Sequence, residues 1–243
     1  MSFASWRGTV GVIKPTFRPG SLEEFVKLIP DGIAVIPLFV GFQQGTVDEF
    51  KGALDAIETK VAELVRIGVD LVHPEGAPPF MVHGAKKERE LLDAWQARYG
   101  VPVITSGTTQ VDAMRALELR RIVGVTYFKG EINDMFAQYF TDCGFEVLAM
   151  DGIEVPFADV GLLSSQQVYA HTRAAVRQHR YVDGVYMLGA GWRILDILEP
   201  LEQDLAVPVV QATPARVWAV QKHFGVRERH HGYGRLLADL PGF

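Results

Sequence analysis

The chain has 243 residues, one cysteine and a formal net charge of −5. This length can hold one large domain or two lobes, and a single thiol excludes an internal disulfide or a cysteine-rich metal site. The acidic balance argues against nucleic acid as a partner, and the absence of a long apolar run or a signal-peptide pattern leads us to expect a cytoplasmic protein without a membrane partner.

Along the chain, short apolar runs rich in Val and Ile alternate with longer amphipathic segments. Eight such runs are predicted to be strands: Thr9–Ile13, Ile33–Leu38, Val69–His73, Val101–Thr105, Ile122–Tyr127, Phe145–Met150, Gly184–Leu188 and Val207–Gln211. Ser21 and Glu24 have the spacing of a capping box, which predicts the start of a helix. Four further segments are predicted to be helical: Thr46–Gly68, Gly130–Gly144, Ser164–His179 and Gly191–Leu205. This alternation is typical of parallel sheets covered by helices.

The sequence contains the same pattern twice. Val10–Ile13 recurs as Val123–Thr126, and Val69–Gly76 recurs as Val182–Gly189, in both cases 113 positions later. A third pair of blocks, each with a Val-Pro-Val core, follows in the same order at a slightly shorter offset. Blocks repeated in order at a nearly constant offset indicate the duplication of a half-domain.

The duplication predicts an α/β protein with two pseudo-symmetric lobes, each a four-stranded parallel sheet flanked by helices, and an active-site cleft between them. We expect residues 107–212 to form the second lobe. The tail after Gly225 does not belong to the second repeat, so we expect it to return to the first lobe. The first lobe is therefore predicted to comprise residues 1–106 and 213–243.

Ligands of parallel sheets bind beyond the carboxyl ends of the strands. The two repeats place Gly76 and Gly189 at equivalent strand ends. Glycine permits close approach, and the N–H groups that follow it can bind a carboxylate, although such glycines can also serve only to form tight turns. The predicted substrate-binding residues are Gly76, Ala77, Thr126, Phe128, Gly189, Ala190, Gly191 and Arg193. Among them, Arg193 has a side chain that can bind a carboxylate through two hydrogen bonds.

Four residues near the strand ends are candidates for catalysis. Lys14 and Tyr127 occupy equivalent positions in the two repeats, so we expect them to face each other across the cleft. In a desolvated cleft the pKa of Glu75 would rise, which suits general acid or base work, although Glu75 could instead pair with Lys14 or Arg193. His73 could orient Glu75, or it could be a buried structural histidine. No recognised metal-ligand spacing is present, so no metal is predicted.

The duplicated lobes, the segment Gly11–Pro15, a glycine-rich loop in each lobe and the segment Gly232–Leu237 resemble the aspartate/glutamate racemase superfamily. Within it, the chain is most similar to arylmalonate decarboxylases and maleate cis-trans isomerases. The resemblance implies two four-stranded parallel sheets and cofactor-free chemistry at a carbon next to a carboxylate. Racemases of this superfamily carry one catalytic cysteine in each loop, and arylmalonate decarboxylases keep the second, whereas this chain has Gly76 and Gly189 at these positions.

We therefore expect a cofactor-independent lyase, a decarboxylase that forms an enolate from a small malonate-like or dicarboxylic acid, with Glu75 or Lys14 delivering the proton. One alternative is an isomerase or racemase that uses Glu75 together with Tyr127 or Lys14. Another is a Schiff-base or hydrolytic enzyme that acts on a keto acid through Lys14. A third is a protein that binds a small acid without catalysis. The expected partner is a small carboxylic acid, and no cofactor is implied. Each of these four functions is compatible with a homo-oligomer.

Overall fold

The computed structural model describes residues 3–189 and 191–243. Its strands are β1 (Gly8–Lys14), β2 (Ile33–Phe39), β3 (Leu71–Pro74), β4 (Arg121–Thr126), β5 (Glu146–Gly152), β6 (Gly184–Met187) and β7 (Val209–Gln211). Its helices are α1 (Gly20–Leu28), α2 (Val47–Lys51), α3 (Leu54–Ile67), α4 (Pro78–Met81), α5 (Ala85–Tyr99), α6 (Ser106–Ala116), α7 (Glu131–Asp142), α8 (Ser165–Arg177), α9 (Leu198–Leu205), α10 (Ala212–His223) and α11 (Arg235–Asp239). None of the described helices is long and apolar enough to cross a membrane.

The strands form two parallel sheets that repeat the same order. The first sheet has the order β2-β1-β3 and the second has β5-β4-β6-β7. Strands β4, β5 and β6 begin 113 residues after β1, β2 and β3, which is the offset of the sequence repeat. The predicted α/β fold with two pseudo-symmetric halves is therefore confirmed.

The first sheet departs from the predicted four strands. The segment Val101–Thr105 contributes one bridge, between Val103 and Val72, and forms no further strand. Pro102 has no N–H group to donate to a ladder. Thr105 accepts a hydrogen bond from the backbone N–H of Thr108 and caps α6, so the chain leaves the sheet at this residue.

Three predicted helices differ from those observed. The segment Thr46–Gly68 forms α2 and α3 in place of one helix, and Gly68 ends α3 with a left-handed φ of 88°. The segment Gly191–Leu205 becomes helical only at Leu198, after a 3₁₀ turn. The capping box predicted at Ser21 is absent, because α1 begins at Gly20 and the Ser21 hydroxyl bonds to other side chains.

The segment that follows β7 joins the two halves. Helix α10 leaves the second sheet and packs against α1 and α6. The tail then packs against α10, where Trp218 Nε1 donates a hydrogen bond to the Pro241 carbonyl at 3.1 Å. It also contacts α1, where Lys27 Nζ lies 5.2 Å from the centre of the Tyr233 ring. These contacts hold the carboxyl ends of the two sheets towards each other.

Candidate active site

A small cavity lies where the carboxyl ends of the two sheets meet. The residues that line it come from the loops after β1, β2, β3, β4 and β6 and from nearby helices: Pro15, Thr16, Arg18, Phe42, Phe50, Gly76, Pro78, Pro79, Tyr127, Phe128, Phe157 and Gly191. Most of these residues are aromatic or apolar, and Arg18 is the one charged residue among them. A pocket of this kind suits a small ligand with an apolar body and an anionic group.

Arg18 lies in the turn between β1 and α1 and was missed by the sequence analysis. Its Nη2 atom donates a hydrogen bond to the Phe157 carbonyl oxygen. The guanidinium carbon also lies 4.7 Å from the centre of the Phe157 ring, so the side chain is held over an aromatic surface. A guanidinium in this position can bind a carboxylate through two N–H groups.

Tyr127 and Phe128 form the second-lobe wall of the cavity. Tyr127 packs edge-on against Trp192, with ring centres 5.1 Å apart, and Phe128 stacks on Phe157 at 5.9 Å. Burial raises the pKa of the Tyr127 phenol, the nearby Glu75 carboxylate raises it further, and Arg18 opposes both effects. The phenol therefore stays protonated at neutral pH and can act as a proton or hydrogen-bond donor.

Beneath the first-lobe loops, four polar side chains form a buried ion cluster: Lys14, Ser21, Glu75 and Arg216. Lys14 Nζ and Arg216 Nη1 each lie 3.0 Å from Glu75 Oε2. Ser21 donates a hydrogen bond to Glu75 Oε1 at 2.5 Å and accepts one from Lys14. One interpretation of the sequence paired Lys14 with Glu75, but the sequence did not indicate Arg216, whose helix lies far along the chain.

The pKa of Glu75 moves in the direction opposite to that expected from the sequence. Burial alone would raise it, but Arg216 and Lys14 outweigh burial and hold it at about 2. Burial lowers the pKa of Lys14, and the pairing with Glu75 works against that effect. The alternative interpretation, in which Glu75 forms an ion pair with Lys14, is the one that the structure shows.

His73 lies in β3 and is completely buried. Burial, and then the positive charge of Arg216, lower its pKa to about 3, so the ring is neutral at physiological pH. Neither ring nitrogen has a hydrogen-bond partner among the described residues. His73, Glu75 and Lys14 are not among the residues that line the cavity, and their catalytic roles remain predictions.

The two repeat-related glycines are required for different reasons. Gly76 has a left-handed φ of 94°, and its N–H donates a hydrogen bond to Ser106 Oγ at 3.1 Å. Gly189 has a φ outside the left-handed region, but a Cβ atom there would lie 1.9 Å from Gln211 Nε2. Backbone conformation favours the first glycine, whereas at the second the Gln211 side chain occupies the space that a Cβ atom would need.

Several predicted binding residues lie away from the cavity lining. Ala77 is fully buried before α4. Thr126 donates a hydrogen bond to Asn133 and accepts one from the Phe128 N–H, so its hydroxyl is used within the protein. Gly76, Tyr127, Phe128 and Gly191 do line the cavity, as expected. Ala190 lies outside the described residues.

Arg193, which the sequence predicts to bind the carboxylate, is not among the residues that line the cavity. Its side chain is 72% exposed and pairs with Glu23, with Nη1 and Oε2 3.3 Å apart. The expectation depended on a helix beginning beside the glycine loop, but the segment stays irregular up to the 3₁₀ turn that starts at Leu195. Arg193 therefore points to the surface, and Arg18 supplies the cation of the cavity.

A hydrogen bond to Glu24 links the segment that follows Gly191 to the first lobe. The Glu24 Oε1 atom accepts a hydrogen bond from the Leu195 N–H at 3.0 Å. Burial raises the pKa of Glu24 to about 7, against the opposing effect of the N–H groups of Leu195 and Ile194. Among the described residues, no group of three or more His, Cys, Asp or Glu side chains could hold a metal ion.

Two duplicated parallel sheets with an apolar, arginine-containing cavity between their carboxyl ends define a two-lobed α/β protein with its ligand site between the lobes. The sequence model of the arylmalonate decarboxylase family matches residues 10–237, and the chain belongs to this family. The predicted superfamily resemblance is thereby confirmed.

Individual relatives agree with this placement. The chain is 26% identical to the arylmalonate decarboxylase of Bordetella bronchiseptica over 238 residues, which cover 95% of this chain and 97% of the relative. A crystal structure of a liganded arylmalonate decarboxylase variant superimposes with a TM-score of 0.88 at 20% identity, covering 96% and 99% of the two chains. The maleate isomerase of Pseudomonas putida S16 with maleate gives 0.87 at 20% identity, covering 95% and 97%. These relatives are enzymes, one a decarboxylase and the other an isomerase, which are the two classes expected from the sequence.

Proposed function

We propose that this protein is a cofactor-independent decarboxylase of a small malonate-like acid with an apolar, preferably aromatic, substituent. The observation that carries the proposal is the composition of the cavity, in which aromatic and proline side chains surround a single guanidinium. One carboxylate of such an acid can pair with Arg18, and the substituent and the second carboxylate then lie against apolar surface. The names of the relatives support the same substrate class.

The cavity lining favours loss of the second carboxylate. A carboxylate against aromatic side chains loses hydration, and cleavage to neutral carbon dioxide relieves that cost. The bond between the α-carbon and this carboxylate breaks, and its electron pair remains on the α-carbon as an enolate. The negative charge spreads to the oxygens of the retained carboxylate, where Arg18 stabilises it.

Tyr127 is the proton donor in this proposal. Its phenol lines the cavity and stays protonated because burial raises its pKa. Proton transfer from the phenol to the α-carbon completes the product, and the phenolate then recovers a proton from water. Glu75, whose pKa of about 2 leaves it ionised at neutral pH, has no proton to give.

Proton NMR in D2O with phenylmalonate tests the reaction. We expect phenylacetate that carries one deuterium at the α-carbon. Conversion of maleate to fumarate without decarboxylation would identify an isomerase instead, and binding without turnover would identify a small-acid binding protein. Tyr127→Phe should lower kcat by about 100-fold or more with little change in KM. Tyr169→Phe is the matched control, since that hydroxyl bonds to Asp204 on the surface.

A further inference from the structure

Three of the described residues that line the cavity have polar side chains, and two of these take part in the proposed reaction. Arg18 pairs with a carboxylate, and Tyr127 supplies the proton. The third is Thr16, which follows β1 in the same turn as Arg18 and is only 6% exposed. No step of the proposed reaction uses the Thr16 hydroxyl.

The side chains of Thr16 and Arg18 lie on the same side of their turn. Both line the cavity, whereas Phe17 between them is 67% exposed and stacks on Phe39, with ring centres 5.7 Å apart. Thr16 Oγ1 accepts a hydrogen bond from the Arg18 N–H at 3.4 Å, as a threonine hydroxyl does when it closes a tight turn onto the backbone two residues later. This turn therefore brings a hydroxyl and a guanidinium to one part of the cavity wall.

The Thr16 hydroxyl has a hydrogen bond left to donate. A threonine hydroxyl can donate one hydrogen bond and accept two. Within the part of the chain that the structure describes, Thr16 Oγ1 accepts from the Arg18 N–H and donates to no acceptor. A donor in a buried side chain costs free energy when it lacks an acceptor, and a ligand oxygen in the cavity supplies one. Because the cavity is small and Thr16 forms part of its wall, an acid that fills the cavity contacts this residue.

The second repeat provides no counterpart to Thr16. The equivalent position holds Lys129, which is exposed and pairs with Glu154, with Nζ and Oε2 3.0 Å apart. Lys129 is not among the described residues that line the cavity. The hydroxyl and the guanidinium therefore both come from the first lobe, while the phenol comes from the second.

We propose that Thr16 is a substrate-binding residue whose hydroxyl donates a hydrogen bond to the retained carboxylate beside Arg18. The identity of the ligand in this assignment rests on the proposed function. When the enolate forms, negative charge spreads to both oxygens of this carboxylate, so the hydrogen bond strengthens as the reaction proceeds. The hydroxyl shares its proton without releasing it, and protonation of the carbon remains with Tyr127.

Two variants isolate the hydroxyl. Thr16→Val removes it and keeps the branched shape of the side chain, and Thr16→Ser keeps it. We expect the Kd of phenylacetate, measured by calorimetry, to rise about tenfold in Thr16→Val and to stay within about threefold in Thr16→Ser, because only the first variant loses a hydrogen bond to a charged group. Thr16→Val should also lower kcat for phenylmalonate by about tenfold or more. Thr59→Val is the matched control, since that hydroxyl bonds to the Asp55 carbonyl on the exposed face of α3.

A double-mutant cycle separates direct binding from an indirect effect through Arg18. If Thr16 only holds the turn that orients Arg18, then Thr16→Val should have no effect in the Arg18→Gln background. If the hydroxyl contacts the carboxylate, Thr16→Val should still raise the Kd of phenylacetate in that background by at least about threefold. Titration followed by NMR measures the weaker affinities of these variants.

Four results would each overturn the assignment: an unchanged Kd in Thr16→Val, an equal loss in Thr16→Ser, a loss that disappears in the Arg18→Gln background, and failure of the unmodified protein to bind phenylacetate. If phenylacetate binding depends on the Thr16 hydroxyl but phenylmalonate is not converted, the decarboxylase proposal fails and the assignment of Thr16 stands. If phenylmalonate is converted and Thr16→Val binds phenylacetate normally, the decarboxylase proposal stands and the assignment of Thr16 fails.

Discussion

The two halves of the molecule share a backbone plan but carry opposite chemistry at equivalent positions. Lys14 at the end of β1 corresponds to Tyr127 after β4, and Glu75 after β3 corresponds to Leu188 after β6. In the first half these positions belong to the buried ion cluster, while in the second half they are aromatic or aliphatic. Duplication has conserved the geometry of the strand ends without conserving their polarity.

This difference gives the cavity two unlike sides. The buried ion cluster contains two cations, Lys14 and Arg216, and one carboxylate, Glu75, so it adds a positive charge behind Arg18 on the first-lobe side. The second-lobe side presents Tyr127, Phe128 and Phe157, while the first-lobe side carries Phe42 and Phe50 as well as Arg18, so the two sides differ in charge rather than in aromatic content. A decarboxylase must hold one carboxylate and desolvate another, and a cavity with unlike sides provides both environments.

The strongest test of this contrast removes the charge that balances the buried ion cluster. Glu75→Gln leaves Lys14 and Arg216 buried without a counter-ion, and we expect the free energy of unfolding to fall by about 3–5 kcal/mol. Urea unfolding at pH 7 measures it. At the equivalent position in the other half, Leu188→Met should cost less than about 1.5 kcal/mol. A loss below about 1 kcal/mol for Glu75→Gln would show that the cluster does not stabilise the first lobe.

A second buried carboxylate, Glu24, differs from Glu75 because it forms no ion pair with any described residue. Its raised pKa means that the folded state binds a proton more tightly than the unfolded state, so the contribution of Glu24 to stability is fully present below about pH 4.5 and is lost as pH rises to about 7. The decline attributable to this group is at most about 3 kcal/mol. Glu24→Gln should flatten this part of the stability profile, measured by urea unfolding between pH 4 and 8. Glu75, with its lowered pKa, contributes stability above its ordinary pKa that is lost as pH falls towards 2.

Glu23→Gln is the matched control for Glu24, because its carboxylate is half exposed and pairs with Arg193 on the surface. Its effect on stability should stay within about 1 kcal/mol at every pH. A pH profile that is unchanged by Glu24→Gln would contradict the expected proton uptake by this group.

The two glycine loops provide a smaller and more specific contrast. We expect Gly189→Ala to cost about 1–3 kcal/mol because of the contact with Gln211, and Gln211→Ser to relieve most of that cost. Gly76→Ala should cost a similar amount, about 1–3 kcal/mol, because of its left-handed φ, and Gln211→Ser should not relieve it. Double-mutant cycles in urea measure both couplings. Equal coupling of Gln211 to the two glycines would contradict this assignment of causes.

Much of the fold is encoded in local patterns that the sequence displays directly. The apolar runs predicted the strand positions, because a buried strand consists of consecutive apolar residues. The offset of 113 residues predicted the duplication. The same reasoning failed at Ser21, where the capping-box spacing is present. There, the Ser21 hydroxyl bonds to Lys14 and Glu75, which come together only in the folded protein, and so it does not cap the helix.

The site was less predictable than the fold because its charges come from distant segments. Gly76, Tyr127, Phe128 and Gly191 could be predicted, since each follows a strand end in the repeat. Arg216 lies within α10, and no local motif connects it with residues of the first repeat. Only the packing of α10 against α1 brings its side chain to Glu75.

We expect the smallest effect from a change at Arg193, the arginine that the sequence predicted to bind the carboxylate. Arg193→Gln should change kcat/KM for phenylmalonate by less than about twofold, because its side chain is 72% exposed and pairs with Glu23 away from the cavity. Arg18→Gln, the matched change inside the cavity, should raise KM at least about tenfold, since it removes a charge-assisted hydrogen bond to the substrate. Steady-state kinetics of both variants, measured at one pH and one salt concentration, show which arginine binds the substrate. If Arg193→Gln were the more damaging change, the carboxylate would be held on the second-lobe side, and the placement of the cavity's binding charge on the first-lobe side would be wrong.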